Sequence, residues 1–321
     1  MIFKILLADM NNNKKMNKKS IVVSLHGGLG DQLYQYSFGC YLKKIFGYNL
    51  IFDTSFYKSR KNKNNFKLGI KNLLKKEKHQ IEEKIFLFGY TFLSKLRYFS
   101  FVNDKLNNLL FNLLFKGNIN NFVYENWKIY TPLKVNKYKN YNTFYFGYWH
   151  YKETILSSKK RIVSFLIDNN LNNKKFSLFI KNKIKKNTCM IHIRGGDYLE
   201  KKFENFYVCD EKYYIQAIKF LKVKIKDPKF HIFTNDIVHA KKIIKKINLE
   251  KNAYFINKNK FSAEQEFVLQ TKYKNAIINN SNFSYLPSLL SSKRKLTISP
   301  KKLYKDTSLP KDLKLNKTFY I

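Results

Sequence analysis

The chain has 321 residues, enough for one large or two smaller domains, and its 44% apolar content excludes an intrinsically disordered protein. Its 62 basic and 22 acidic residues leave a formal charge of +40, a balance that raises nucleic acid or an anionic lipid surface as a partner. The only arginines are Arg60, Arg97, Arg161, Arg194 and Arg294, so the charge is nearly all lysine, scattered rather than gathered into a stripe. Lysine, asparagine, isoleucine, phenylalanine and tyrosine are all in excess, as AT-rich codons supply them. That bias accounts for the charge better than a phosphate-tracking surface does, and nucleic acid is not expected as a partner.

Met1–Leu7 is too short an apolar run to span a bilayer, and no other run approaches the ~20 residues a spanning helix needs. Residues 1–20 are read as a polar N-terminal extension outside the fold. A short strand at Ile21–Leu25 leads into the glycine turn Gly27-Gly28-Leu29-Gly30, a helix through Leu33, Tyr36, Cys40 and Tyr41, and a strand at Asn49–Phe52. Ile81–Leu114 is rich in phenylalanine and leucine and reads as two amphipathic core helices or as a surface that meets a lipid. Thr143–Trp149 is a further strand. The asparagine- and lysine-rich run Asp168–Lys175 is the expected connection between halves.

The second half repeats the rhythm. Strands are expected at Thr188–Ile193, Phe230–Thr234, Tyr254–Asn257, Ala276–Asn279 and Leu296–Ser299. Helices are expected near Glu211–Lys222, Ile237–Ile247, Ala263–Tyr273 and Ser284–Ser291. Strands alternating with helices argue for parallel sheets covered on both faces. The fold class expected is α/β, with Rossmann-like domains at 21–168 and 169–302 facing across a cleft and a C-terminal tail at 303–321. Cys40, Cys189 and Cys209 are unevenly spaced with no C-x-x-C pair, so neither a disulfide framework nor a zinc site is suggested, and a reducing cytosol is expected.

Open α/β sheets bind ligands beyond the carboxyl ends of their strands, and four such ends carry suitable residues. At His26-Gly27-Gly28-Leu29-Gly30-Asp31-Gln32 the glycines let backbone approach a ligand, and the next helix aims its N–H groups at an anion. The dinucleotide fingerprint fails because Leu33 stands where its third glycine belongs, although Asp53 sits where a ribose-binding acid would. A nicotinamide enzyme and a plain tight turn therefore both stay open here. At His192-Ile193-Arg194-Gly195-Gly196-Asp197-Tyr198, His192 and Arg194 alternate along a strand end and point the same way. A guanidinium fork matches phosphate oxygens as lysine cannot; the alternative is an ion pair of Arg194 with Asp197. At Phe233-Thr234-Asn235-Asp236 the carboxylate either accepts guanine N–H groups or caps a helix. At Ile278–Ser284 hydroxyls open a helix, for phosphate or simply as a cap. No D-x-D triplet of a metal-bridged diphosphate site occurs, and no Ser-His-Asp or Cys-His arrangement stands out.

In this order, Gly27–Tyr36, Gly147-Tyr148-Trp149, His192–Tyr198, Phe233–Asp236, Asn279–Ser284 and Ser299–Lys302 resemble the α-1,2-fucosyltransferases of glycosyltransferase family 11. The H-x-R-x-x-D element is the most specific of these. The resemblance implies a GT-B-like pair of Rossmann domains, with the first on the acceptor side and the second binding the donor. It also implies GDP-β-L-fucose as donor, inversion at the anomeric carbon, and no metal or other cofactor. It implies Arg194 on the diphosphate and His192 beside the nucleotide, with Asp197 orienting that loop and Asp236 near guanine. Ser281, Phe283 and Ser284 would cup the phosphates, and Gly28, Gly30, Gln32 and Thr234 complete the donor-binding set.

Three departures from the family pattern stand out: Asp31 replaces asparagine, Gly195 replaces a second arginine, and Ser281–Leu286 reads S-N-F-S-Y-L for S-S-F-S-W-W. Asp31 is the candidate general base beside Arg194 and His192. The implied acceptor is a galactoside 2-hydroxyl on an oligosaccharide or lipid-linked glycan. The expected setting is the cytoplasm or the inner face of the membrane, in surface polysaccharide synthesis. The rival readings are a basic nucleic-acid- or lipid-binding module and a nicotinamide-dependent enzyme.

Overall fold

The computed structural model describes residues 19–58, 66–82, 121–125, 143–201, 204–256 and 260–321. Most of the expected N-terminal extension and of the Ile81–Leu114 pair lies outside them. The chain divides into two compact units, one ending at Ser158 and the other beginning at Lys159.

In the first unit β1 (Ser20–Ser24) is SIVVS, buried at every position, as a strand covered on both faces must be. The chain turns through Gly27, at φ 77°, into α1 (Leu29–Phe46). This helix ends where Gly47 takes a left-handed φ of 67° and donates its N–H to the Lys43 carbonyl. Among the described residues the unit also contains β2 (Asn49–Asp53), α2 (Lys71–Lys76), β3 (Gln80–Glu82), β4 (Asn121–Tyr124) and β5 (Thr143–Phe146). The strands form one sheet in the order β3-β2-β1-β5-β4, parallel at every pairing. Successive strands run outward from β1 and then return to its other side, so the order reverses between β1 and β5.

The second unit opens within α3 (Lys152–Ile162), whose last turns widen at Val163–Asp168, and continues into α4 (Lys174–Lys183). The connection expected at Asp168–Lys175 is thus helical. Asn170 donates to the Leu166 carbonyl and Asn173 caps α4 by accepting the Phe176 N–H, so these asparagines serve helix ends rather than a linker.

Then follow β6 (Thr188–Ile193), α5 (Glu211–Lys224), β7 (Lys229–Thr234), α6 (Ile237–Lys246), β8 (Ala253–Phe255), α7 (Ala263–Thr271), β9 (Asn275–Ile277), α8 (Asn282–Leu290) and β10 (Leu296–Ser299). The chain closes with β11 (Lys302–Tyr304), β12 (Thr307–Ser308) and β13 (Thr318–Tyr320). The sheet order is β13-β10-β9-β6-β7-β8, again parallel at every pairing, and β11 and β12 form an antiparallel hairpin. Residues 303–321, expected as a tail, supply the sheet's edge strand, because β13 extends the ladder of β10.

Cys189, Ile191 and Ile193 of β6 pack with Tyr213, Ala217 and Leu221 of α5 and with Ile243 and Ile244 of α6. Those side chains hold the carboxyl end of β6 rigid beneath its loop. Here the order reverses between β6 and β9. Both halves are therefore Rossmann-like α/β units.

Candidate donor site

Ligands of doubly wound sheets bind where the strand order reverses, and in the second unit His192 stands one residue before the end of β6 while Asn279 follows β9. The two are joined. The His192 Nδ1 lies 3.1 Å from the Asn279 Oδ1, and the Asn279 amide donates to the His192 carbonyl at 3.3 Å. That second bond fixes which end of the amide is oxygen. Its oxygen also takes the Ser281 N–H at 3.0 Å and the Ser284 hydroxyl at 3.1 Å. Because that oxygen can only accept, the His192 Nδ1 carries a proton and donates it there. Tyr214 donates its hydroxyl to the His192 carbonyl at 3.0 Å. Ser281 caps α8 by accepting the Phe283 N–H, and the Phe283 ring sits 6.1 Å from that of His192.

A second asparagine organises the Arg194 loop. The Asn235 Oδ1 accepts the Gly195 N–H at 2.9 Å, and its amide donates to the Gly195 carbonyl at 3.0 Å and to the Asp197 Oδ1 at 3.3 Å. Asp236 accepts the Gly196 N–H at 3.1 Å and caps α6 through the His239 N–H at 3.0 Å. Hydrogen bonds from these backbone N–H groups, that of His239 foremost, hold its carboxyl below the usual range. Asp236 thus occupies the helix-cap role that the sequence left open. Thr234 accepts the Asp236 N–H at 3.0 Å.

Both glycines of the loop are required. A Cβ on Gly195 would lie 2.9 Å from the His239 Cδ2, and Gly196 adopts a φ of 58°.

Arg194 donates from Nη2 to the Asp197 Oδ2 at 2.7 Å and lies over the Tyr198 ring at 5.0 Å. The ion pair raised as the structural alternative for Arg194 is thus formed. It leaves the fork incomplete: among the described residues the buried Arg194 Nε has no hydrogen-bond partner, nor has the His239 Nε2 beside the same loop. A buried polar group of this kind forfeits about 1–3 kcal/mol unless something pairs with it. Among the described residues the loop and the helix beside it thus carry one unsatisfied nitrogen each, at the carboxyl edge of β6 and β7.

In the first unit Gly28 is the N-cap of α1, Gly30 is buried in its first turn, and Asp31 belongs to the same turn. The Asp31 Oδ1 lies 3.6 Å from the His150 Nε2, whose ring packs on Tyr34 at 4.8 Å. Gln32 is fully buried and spent on backbone: its amide donates to the Gly27 and Lys67 carbonyls at 3.1 and 2.8 Å. Its oxygen accepts the Gly69 N–H at 2.8 Å. Gln35 joins the two strand ends at this unit's reversal, accepting the His26 N–H at 3.0 Å and donating to the Gly147 carbonyl at 3.1 Å.

Around Asn279 the structure thus brings together His192, Ser281, Phe283 and Ser284, and around Asn235 it brings together Arg194, Asp197, Thr234 and Asp236. Gly28, Gly30, Asp31 and Gln32 belong to the other unit. Sequence reasoning passed over Asn235, Asn279, His239, Gln35 and His150. The one available signal was position, since each asparagine stands within two residues of a strand's carboxyl end.

Parallel α/β units with polar loops at both order reversals define a class of ligand-binding folds, and the comparison of sequences narrows it. The sequence profile of Glycosyl transferase family 11 matches residues 20–321, and the chain belongs to that family. It is 27% identical to the O-antigen biosynthesis glycosyltransferase WbnK of Escherichia coli over 296 residues, which cover 87% of this chain and 93% of the relative. It is 29% identical to an Escherichia coli alpha-1,2-colitosyltransferase over 157 residues, which cover 47% of this chain and about half, 52%, of that relative. The crystal structure of NodZ alpha-1,6-fucosyltransferase soaked with GDP-fucose matches 85% of this chain and 93% of its own at 12% identity, with a TM-score of 0.45. A likeness that low carries no functional weight. The chain is a glycosyltransferase by family, which displaces the nicotinamide-enzyme and binding-module readings. Among the described residues no helix is long and apolar enough to cross a membrane.

Proposed function

We propose that this chain transfers L-fucose from GDP-β-L-fucose, with inversion and without a metal, to a glycan hydroxyl, the 2-OH of a galactoside, in surface polysaccharide synthesis. The observation that carries the reading is the unsatisfied Arg194 Nε on a loop whose geometry Asn235, Asp236 and Asp197 fix. One edge of the guanidinium is held by Asp197 and a buried N–H is left for a diphosphate oxygen, so the cation is oriented before GDP arrives. The acceptor oxygen bonds to the anomeric carbon as the bond from that carbon to the phosphate oxygen breaks. Arg194 compensates the charge gathering on GDP, and Asp31 takes the hydroxyl proton.

Membership in the family and the absence of a D-x-D triplet support metal-free transfer. The formal charge of +40 supports a peripheral site on anionic membrane; failure to sediment with anionic vesicles at low salt would remove that part. One observation favours a second donor: the similarity to a colitosyltransferase, with Asp31 and Gly195 departing from the fucosyl pattern.

The test is transfer kinetics with GDP-fucose and nucleotide-linked colitose in the presence of a chelator. With the preferred donor, Arg194→Lys should lower kcat/KM by about ten- to a hundredfold, the worth of one charged hydrogen bond. Asp31→Asn should remove the acid limb of the pH–rate profile. Unchanged turnover in the lysine variant overturns the donor-site assignment, and an unaltered pH profile removes Asp31 as the base.

A further inference from the structure

Away from the loops that carry the glycosyltransferase reading, four reactive side chains meet where α1 packs against the connection from α2 to β3. Tyr36 and Cys40 stand four residues apart, on one face of α1. Glu77 and His79 flank Lys78, whose φ of 53° folds the chain so that both side chains lie together. The turn is pinned by its backbone, since the Glu77 N–H donates to the Leu73 carbonyl at 3.1 Å and the His79 N–H to the Leu74 carbonyl at 2.9 Å.

The His79 Nε2 lies 3.1 Å from the Glu77 Oε2, and Tyr36 donates its hydroxyl to the same oxygen at 2.7 Å. A sulfur, an imidazole nitrogen and a carboxylate oxygen, from Cys40, His79 and Glu77, all lie within 4.8 Å of one another. Their spacing in sequence, 37 and 39 residues, gave no metal signature. Only the packing of the helix on the turn brings them together.

We propose that Cys40, Glu77 and His79 form a zinc-class metal site that ties α1 to the approach of β3. Zinc takes thiolate, imidazole and carboxylate at about 2.0–2.3 Å, which sets donor atoms roughly 3–4 Å apart around the ion. Closing 4.8 Å to that spacing asks the donor atoms to shift by about an ångström. The Cys40 thiol also meets the Tyr36 hydroxyl; a thiol is only a weak donor and acceptor, whereas it is a preferred ligand of a borderline-soft cation. Tyr36 supplies the outer hydrogen bond that holds a ligating carboxylate in place. Glu77 keeps a side-chain exposure of 22%, leaving an entry path and room for water in a fourth position.

His79 immediately precedes β3, so the site lies at the amino edge of the first sheet, opposite the glycine turn. Its role is to stabilise the unit, and transfer does not depend on it.

The test uses the full chain, stripped with a chelator and titrated with Co²⁺, whose thiolate charge-transfer absorbance reports a sulfur ligand. The band should saturate at one equivalent per chain and disappear on adding Zn²⁺, which should also raise the thermal midpoint. Cys40→Ser should abolish the band, while the midpoint shift on adding GDP stays as in the parent. His79→Gln should weaken cobalt binding at least tenfold, and it carries the test if the serine variant fails to fold. A parent chain with no saturable band overturns the proposal. So does a band of undiminished affinity in a folded variant, which would point to Cys189 or Cys209 instead.

Discussion

Asn279 makes four hydrogen bonds from one side-chain amide, two to His192 and one each to Ser281 and Ser284. An ionised aspartate has no donor for the His192 carbonyl and leucine has neither donor nor acceptor, so neither substitutes for it. Asn279→Ala should lower unfolding free energy by about 2–4 kcal/mol, because several buried groups lose their partner at once. Chemical denaturation checks this, and a loss below about 1 kcal/mol would show the network to be dispensable. Arg194 teaches a related lesson. The sequence marked it as unusual in a lysine-rich chain, and the structure adds what spacing alone left open. Asp197 binds one edge of the guanidinium, and the buried Nε has no partner among the described residues. His239 could not be picked out beforehand, because its place beside Gly195 depends on α6 docking against the loop of β6.

Most elements were legible because their signals are local. The strand at Thr188–Ile193 and that at Leu296–Ser299 fall where the apolar runs put them, and α5 and α6 follow the 3.6-residue pattern. The strand expected over Thr143–Trp149 stops at Phe146. Beyond it Glu125 takes the N–H groups of Tyr148 and Trp149 at 2.6 and 2.7 Å, and Trp149 turns to a φ of 55° while stacking on Phe38 at 4.3 Å. A carboxylate just past the end of β4 competes there with the ladder, and no window on the local sequence contains it. The glycine loop after β6 makes its own prediction. Gly195→Ala must force apart contacts of 2.9 Å to His239 and 3.0 Å to Asp236. It should therefore cost about 1–3 kcal/mol and weaken GDP binding as the loop shifts. Thermal midpoints with and without GDP measure both; an alanine chain that matches the parent in both would mean the loop yields freely.

At the scale of the molecule the charge of +40 is scattered, yet individual buried cations are expensive. His231 shows the consequence. Burial, together with the charge of Lys183, lowers its imidazole from 6.5 to about 4, and its Nδ1 lies 2.6 Å from the Tyr273 hydroxyl. The unfolded chain therefore takes up a proton at higher pH than the folded one. Stability is fully present above about pH 6.5 and falls as the pH drops toward 4, by about 3 kcal/mol from this residue. Denaturant midpoints at pH 7 and 4.5 should differ in that direction, and His231→Phe should flatten the difference. An equal slope in parent and variant would exclude His231 as its source.

What the sequence determined by itself was the α/β class, the alternation of elements and the positions of strand-end loops. Those follow from periodicity and turn residues within about ten positions of each other. The tertiary structure alone decided that the units divide after Ser158, that β13 completes the second sheet, that Asn279 reaches back to His192, and that Cys40 meets Glu77 and His79. Each joins residues remote in the chain. Such contacts arise from burial and from the pairing of polar groups that only the folded sheet brings within reach, and a local pattern holds no record of them.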